Sequence, residues 1–367
     1  MRKRVLITGP ALSDPGGVAN YYNAVLPALY GLSNFDIEYI EIGSTAGGGK
    51  ILHFFNDQLK LRRALKRQPD LLHVNPSLDI KSFIRDGLFI WQARRRHIPV
   101  LVFFRGWEKS VEKKIKGLLK VFFNLTYGKA NHFLVLASEF KDALLKWGVS
   151  VPIDLTTTTV NEGLLLGFDF NEKDAGISAP VKVLFMARLE PEKGAVSLLE
   201  SVIKLLDEGH AFELTIAGDG PSMDQLKTAL SGRPDLQGQI SIAGYVRGNQ
   251  KSELLKTHNV FCFPSEYGEG MPNSIMEAFA FGLAIVTCPV GGIKDFFVDG
   301  KMGSLIPGRA AEHIEAGLKC MLENPEWRSE VCRYNYNYAQ NNFLSGDVAR
   351  SLAIKYGELL VVDEPCL

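Results

Sequence analysis

Residues 258–282, HNVFCFPSEYGEGMPNSIMEAFAFG, change character twice. His258–Phe263 is a short apolar run suited to a buried strand. The stretch from Pro264 to Gly270 is a glycine-rich loop, and the chain from Ser274 onward reads as a helix. Pro272 suits the first turn of that helix, where its missing N–H loses no hydrogen bond. Free N–H groups around Gly270–Ser274, including Met271 and Asn273, then form an anion site suited to a phosphate. Glu269 sits in the loop before the helix, and Glu277 lies about one turn inside, roughly 6 Å along the axis. Two carboxylates flanking a phosphate cradle fit a nucleotide sugar, with ribose hydroxyls on one side and hexose hydroxyls on the other. The same two residues equally fit a solvated loop glutamate and a helix glutamate that complements the dipole.

Outward from this stretch, short β-branched runs alternate with amphipathic segments. In the first half the expected strands are Arg4–Thr8, Ile37–Ile42, Leu71–Val74, Val100–Phe104, Phe133–Leu136 and Ile153–Thr158. Helical patterns such as Gln58–Arg67 and Phe140–Trp147 lie between them. From about Lys182 the alternation restarts, with strands at Val183–Met186, Glu213–Ala217, Ile240–Ala243, Val260–Phe263, Ala284–Thr287 and Gly303–Ile306. Strands alternating with helices imply parallel sheets covered on both faces. The polar stretch Gly167–Pro180, GFDFNEKDAGISAP, reads as the linker. The expectation is an α/β protein of two doubly wound domains facing a central cleft, with ligands outside the carboxyl ends of the strands.

The 367 residues suit two domains, each able to bury its own core. Hydrophobic residues make up 46% and charged residues 22%, which excludes a disordered chain or a disulfide scaffold. The net charge of zero hides a polarity. Residues 1–150 hold 23 Lys and Arg against 12 Asp and Glu, a net +11, so the remainder carries −11. The five cysteines, Cys262, Cys288, Cys320, Cys332 and Cys366, are scattered, without CxxC spacing, and read as reduced thiols of a cytosolic protein. MRKRVLITGP at the N-terminus has too short an apolar run for a signal sequence, and no run of 18 apolar residues spans a membrane.

Several other loops after strands carry chemistry. ARLEPEKG sets Arg188 and Lys193 around a turn, two cations suited to a diphosphate. Gly218–Pro221 makes a tight turn. IAGYVRG puts Gly244 and Tyr245 where a base could rest, and Pro289–Gly292 follows the next strand. In order and spacing, ARLEPEKG, LTIAGDGP, IAGYV, FPSEYGEGMPNSIMEAFAFG, VGGIKDFFVDGKMGSLIP and FLSGDVARSLAIKYGELL resemble the retaining glycosyltransferases of family 4, of the GT-B fold. The resemblance covers most of residues 181–360. It implies that Arg188 and Lys193 neutralise the donor diphosphate, that Glu277 holds the ribose and that Glu269 holds the transferred sugar. It places the backbone of Gly270, Met271 and Pro272 against the donor. It also implies a C-terminal helix that crosses back onto the first domain.

The first half matches this family less tightly. DPGGVANYY resembles its glycine loop near the donor phosphate, with Gly16 and Gly17 allowing close backbone approach. PDLLHVN resembles the strand ending in a histidine, here His73, a structural or a catalytic residue. Many relatives carry histidine after the strand equivalent to Val100–Phe104, where this chain reads FFRGW. Arg105 there stabilises a leaving diphosphate or holds an anionic acceptor, or is a plain surface cation. The expected domains are an acceptor-binding domain of residues 1–166, joined by a crossover helix at about 345–367, and a nucleotide-sugar-binding domain of residues 167–344.

The resulting expectation is a cytoplasmic, metal-independent hexosyltransferase. It moves a sugar from a UDP- or GDP-linked donor to a saccharide or lipid-linked acceptor in cell-envelope polysaccharide synthesis. It needs no further cofactor, no metal and no nucleic acid. No Asp-x-Asp pair, HExxH, GxxxxGK[ST] or GxGxxG element is present. Alternatives are a GT-B phosphorylase or epimerase, or a catalytically inactive GT-B subunit that binds a nucleotide sugar or scaffolds partners. WEKSVEKKIKGLLKVFF, Trp107–Phe123, reads as one lysine-rich amphipathic helix with an apolar stripe of Val111, Ile115, Leu118, Leu119 and Phe122. An anionic membrane surface is therefore a candidate partner, with a peripheral position on the inner face of the membrane.

Overall fold

Strands buried on both faces must be apolar along their whole length, and the sheets of this chain are built from such runs. The structure, a computed structural model, describes residues 2–14, 16–32, 34–43, 50–175, 180–266 and 270–361. The chain divides into two units, one of Met1–Asn161, Gly268–Met271 and Ser345–Leu367, the other of Glu162–Tyr267 and Pro272–Leu344.

The first unit holds β1 (Lys3–Gly9), β2 (Phe35–Glu41), β3 (Leu71–Val74), β4 (Val100–Phe104), β5 (His132–Val135) and β6 (Ile153–Leu155). They form one sheet in the order β2-β1-β3-β4-β5-β6. Every pairing is parallel. The order reverses between β1 and β3. The second unit holds β7 (Val181–Met186), β8 (Phe212–Ala217), β9 (Ile240–Gly244), β10 (Val260–Phe263), β11 (Ala284–Thr287) and β12 (Gly303–Leu305). Its sheet runs β9-β8-β7-β10-β11-β12, again all parallel. This is the two-domain, doubly wound α/β architecture expected from the alternation.

Two local expectations are corrected. Trp107–Phe123 is not one helix. It forms two, Lys109–Glu112 and Leu118–Leu125. The first ends at its C-cap Lys113, and Gly117, the N-cap of the second, has φ 55°, a left-handed value that restarts the chain at a new angle. Val111, Ile115 and Phe123 are buried in the core of the unit, while Leu118, Val121 and Leu125 are exposed. The expected linker also carries structure. Phe170–Ala175 is a short helix, and the Lys173 ammonium donates to the carbonyls of Leu255 and Phe281, 2.9 Å each. Phe170 stacks on Tyr336 with ring centroids 4.6 Å apart. The division between units falls between Asn161 and Glu162.

The helix Ser345–Val361 clusters with the first unit. Its Tyr356 hydroxyl lies 2.7 Å from His73 Nδ1 at the end of β3. No helix among the described residues is long and apolar enough to cross a membrane.

Candidate functional site

In the second unit the loops after β7, β8, β9 and β10 meet at the carboxyl edge of the sheet. The β7 loop ends in a 3-10 turn, Pro191–Lys193, followed by Gly194 at φ 80°. A Cβ on Gly194 would stand 2.7 Å from the Pro264 carbonyl oxygen, so glycine is required by backbone angle and by space. This contact locks the Arg188–Lys193 loop to the first residue after β10, and Glu266 N donates to the Glu192 carbonyl at 3.1 Å. The Gly218–Pro221 turn is stitched to the same loop, with Leu189 N donating to Asp219 O at 2.9 Å and Ser222 N to Leu189 O at 2.9 Å.

Lys193 is 6% exposed, and its ammonium lies 5.4 Å from the Phe263 ring centroid. Burial, then the neighbouring Arg188, brings its pKa down to about 8. Arg188 is open to solvent, its side chain 71% exposed and 3.9 Å from Glu190. The helix Asn273–Ala280 starts at Pro272, its N-cap at φ −70°. Glu277 is buried in this helix and pairs with Lys251 of the helix Gly248–Thr257. Burial raises the Glu277 pKa and Lys251 opposes the shift. Tyr245 follows β9 and is 68% exposed. Thus Arg188, Lys193, Tyr245, Pro272, Asn273 and Glu277 all lie on loops or helix starts at one edge of one sheet. Lys251 was not visible in the sequence, because nothing in its own helix pattern signals a partner 26 residues away.

In the first unit, Gly16 is the N-cap of the helix Gly17–Tyr30, which has no side-chain cap and no acidic residue in its first turn. Arg105 follows β4, and its amide donates to the Pro76 carbonyl at 2.9 Å. Gly270 and Met271 cluster with this unit. A Cβ on Gly270 would meet Leu136 at 3.1 Å, and the Thr157 hydroxyl donates to Met271 Sδ at 3.0 Å. The described members of the predicted set are thus divided, with Gly16, Gly17, Arg105, Gly270 and Met271 in one unit and Arg188, Lys193, Tyr245, Pro272, Asn273 and Glu277 in the second. Glu269 lies outside the described residues. Among the described residues no group of three or more His, Cys, Asp or Glu is arranged to hold a metal ion.

The fold has known counterparts. Residues 168–340 match the family described as Glycosyl transferases group 1. A solved structure of sucrose-phosphate synthase from Thermosynechococcus elongatus superposes with TM-score 0.75 at 16% identity, over 99% of this chain and all of that one. The structure of Alr3699/HepE from Anabaena in complex with UDP gives 0.69 at 12% identity, over 97% of this chain and 100% of that one. The two-domain fold is therefore that of GT-B glycosyltransferases. Among curated relatives, TuaC of Bacillus subtilis (strain 168), a glycosyltransferase named for teichuronic acid biosynthesis, is 29% identical over 81% of this chain and 73% of its own length. The chain spans about half the length of several other curated relatives that it matches.

Proposed function

We propose that the protein is a retaining glycosyltransferase of family 4 that takes a hexose from a UDP- or GDP-linked donor. The observation that carries this reading is the edge of the second sheet. Two cations, Arg188 and the buried Lys193, sit on a loop locked to the end of β10, from which the chain runs on to a helix holding a buried glutamate, Glu277. Cations at a strand end beside a helix N-terminus neutralise a diphosphate without a metal. In this reading Glu277 takes the ribose hydroxyls and Tyr245 the base. Gly270, Met271, Pro272 and Asn273 present backbone to donor sugar and phosphate, and Glu269 holds the transferred sugar. Gly16 and Gly17 approach the donor phosphate.

In the same-face mechanism the acceptor hydroxyl oxygen bonds to the anomeric carbon as the bond from that carbon to the diphosphate oxygen breaks. The hydroxyl proton passes to the departing diphosphate. Arg188 and Lys193 stabilise the charge that develops on that leaving group, which is where electrostatic catalysis acts most strongly. The nucleotide sugar is a substrate, and no cofactor is invoked. The acceptor is a saccharide or lipid-linked saccharide of a cell-envelope polysaccharide, bound by the first unit, residues 1–166 with the helix at about 345–367. The likeness to TuaC supports this acceptor class.

A second observation favours work at an anionic membrane surface. Residues 1–150 carry a net +11. Leu118, 88% exposed, with Val121 and Leu125 forms an apolar stripe on one helix face, beside Lys113, Lys114 and Lys116. Such a combination suits an interfacial position on the cytoplasmic leaflet.

A thermal-unfolding screen of UDP- and GDP-sugars tests the donor reading, because a ligand that binds only the folded state raises the midpoint by mass action. One nucleotide sugar should stabilise the chain in EDTA as well as without it. No shift with any nucleotide sugar would overturn the reading.

A further inference from the structure

The segment that leads into the second unit fastens two helices at once. Lys173 lies on the short helix Phe170–Ala175. Its ammonium donates to the carbonyls of Leu255 and Phe281, 2.9 Å each. Leu255 stands in the last turn of the helix Gly248–Thr257, and Phe281 is the C-cap of the helix Asn273–Ala280. Carbonyls at the end of a helix have no partner within it and carry the negative end of its dipole, so one cation satisfies both ends. Neighbouring groups fix the same joint. The Phe168 and Phe281 rings lie 4.7 Å apart. Gly282 has φ 64°, and a Cβ there would run into the Phe170 ring. The Ser252 hydroxyl, on the first of these helices, donates to the Leu164 carbonyl at 2.7 Å.

This joint is expensive. No carboxylate of the described residues pairs with Lys173, and burial brings its pKa down to about 7, with Cys332 opposing the shift. A desolvated cation without a counter-ion is a poor choice for stability alone, where an apolar side chain of similar length would fill the space. What the lysine supplies beyond filling is a fixed distance between two helix ends. Lys251 stands one turn before Leu255, and Glu277 one turn before Phe281, roughly 6 Å along each axis. The Phe281 amide donates to the Glu277 carbonyl at 3.2 Å, so the clamped residue and the carboxylate carrier are joined by one hydrogen bond. Lys251 and Glu277 pair with each other. The Lys173 bridge and this ion pair are therefore consecutive rungs between the same two helices.

We propose that Lys173 is a positioning residue for Glu277: by bridging the ends of both helices it sets where the carboxylate stands, and with it the hold on a nucleotide, without touching the ligand itself. This deepens the donor reading and rests on it for the role of Glu277. A shift of ~1 Å in a group that meets a ligand can cost up to ~100-fold, so a loosened clamp has a measurable effect.

The test titrates UDP and GDP into the full chain and into Lys173→Met, Glu277→Ala and the double variant. For the nucleotide that binds the parent chain, Lys173→Met should weaken affinity ~10-fold. Added to Glu277→Ala it should weaken binding no further, because no carboxylate is left to misplace. Tyr336→Leu is the control. It removes the stack on Phe170, 4.6 Å between centroids, and leaves the Lys173 bridge in place. It should lower the thermal midpoint and leave nucleotide affinity unchanged. Where Lys173→Met does not fold, Lys173→Gln, with a donor on a shorter stem, runs through the same cycle. Wild-type affinity in the Lys173 variant, an equal loss in the Glu277→Ala background, or an equal loss in Tyr336→Leu would overturn the proposal. Binding of neither nucleotide to the parent chain, or wild-type affinity in Glu277→Ala, is a failure of the donor reading instead, and takes this proposal with it.

Discussion

In the proposed donor site, Lys193 links nucleotide binding to pH. Its ammonium is buried against Phe263 and beside Arg188, and its pKa is about 8 instead of 10.5. At ~1.4 kcal/mol per pKa unit, that depression is a penalty of about 3 kcal/mol on the charged form in the ligand-free protein. A folded-state pKa below the unfolded value makes the free protein gain stability from this group as pH rises from 8 toward 10.5. A bound diphosphate reverses the local balance and holds the ammonium charged. Binding then takes up a proton above pH 8. Ligand-free Lys193 is about 90% charged at pH 7 and about 10% at pH 9, so the apparent affinity for a nucleoside diphosphate sugar should fall ~10-fold between them. Isothermal titration at pH 7, 8 and 9, in two buffers of different ionisation enthalpy, measures affinity and proton uptake together. Lys193→Gln should bind more weakly at pH 7 and show a flat profile. An unchanged wild-type affinity from pH 7 to 9, or the same slope in Lys193→Gln, would refute the reasoning.

Three further outcomes are expected. Gly194→Ala forces a side chain into φ 80° and to within 2.7 Å of the Pro264 oxygen; it should lose about 1–3 kcal/mol of stability in denaturant melts, and an unchanged midpoint would show that the two loops are not locked together. Glu277→Ala should weaken both nucleotide binding and transfer while Glu269→Ala reduces transfer more than binding, so a Glu277→Ala variant with wild-type affinity would remove the ribose role. In liposome flotation, binding should require anionic lipid, fall with salt and drop in Leu118→Ser/Val121→Ser/Leu125→Ser; equal binding to neutral vesicles, or none to either kind, would dismiss the membrane surface.

The sheets were legible because parallel strands are buried on both faces and so appear as unbroken apolar runs. Leu71–Val74, Val100–Phe104, Val260–Phe263 and Ala284–Thr287 fall on their sequence-based bounds to the residue. The helix Pro325–Asn342 was missed because its inward face is not apolar throughout. It buries Arg328 and Asn335 with Val331, Cys332 and Ala339, and Asn335 Nδ2 donates to the carbonyls of Leu283 and Met302 at 2.7 and 2.9 Å. The break over residues 113–117 was missed because apolar spacing was counted through a glycine whose backbone angle the pattern does not report. At the candidate site, residue types and their order after strands could be read directly. The pairing of Glu277 with Lys251 could not, nor could the contact between His73 and Tyr356, 283 residues apart. Those are long-range products of the fold with no local signature.

The proposed donor site stands on Arg188 and Lys193 of the second unit holding a diphosphate. The most direct measurement is titration of UDP and of GDP into the intact chain and into Arg188→Ala/Lys193→Ala at pH 7. Saturable binding of one nucleotide to the intact chain is expected, with a loss of at least ~10-fold in the double variant. Equal affinity in the two proteins, or no binding of either nucleotide to the intact chain, would contradict it.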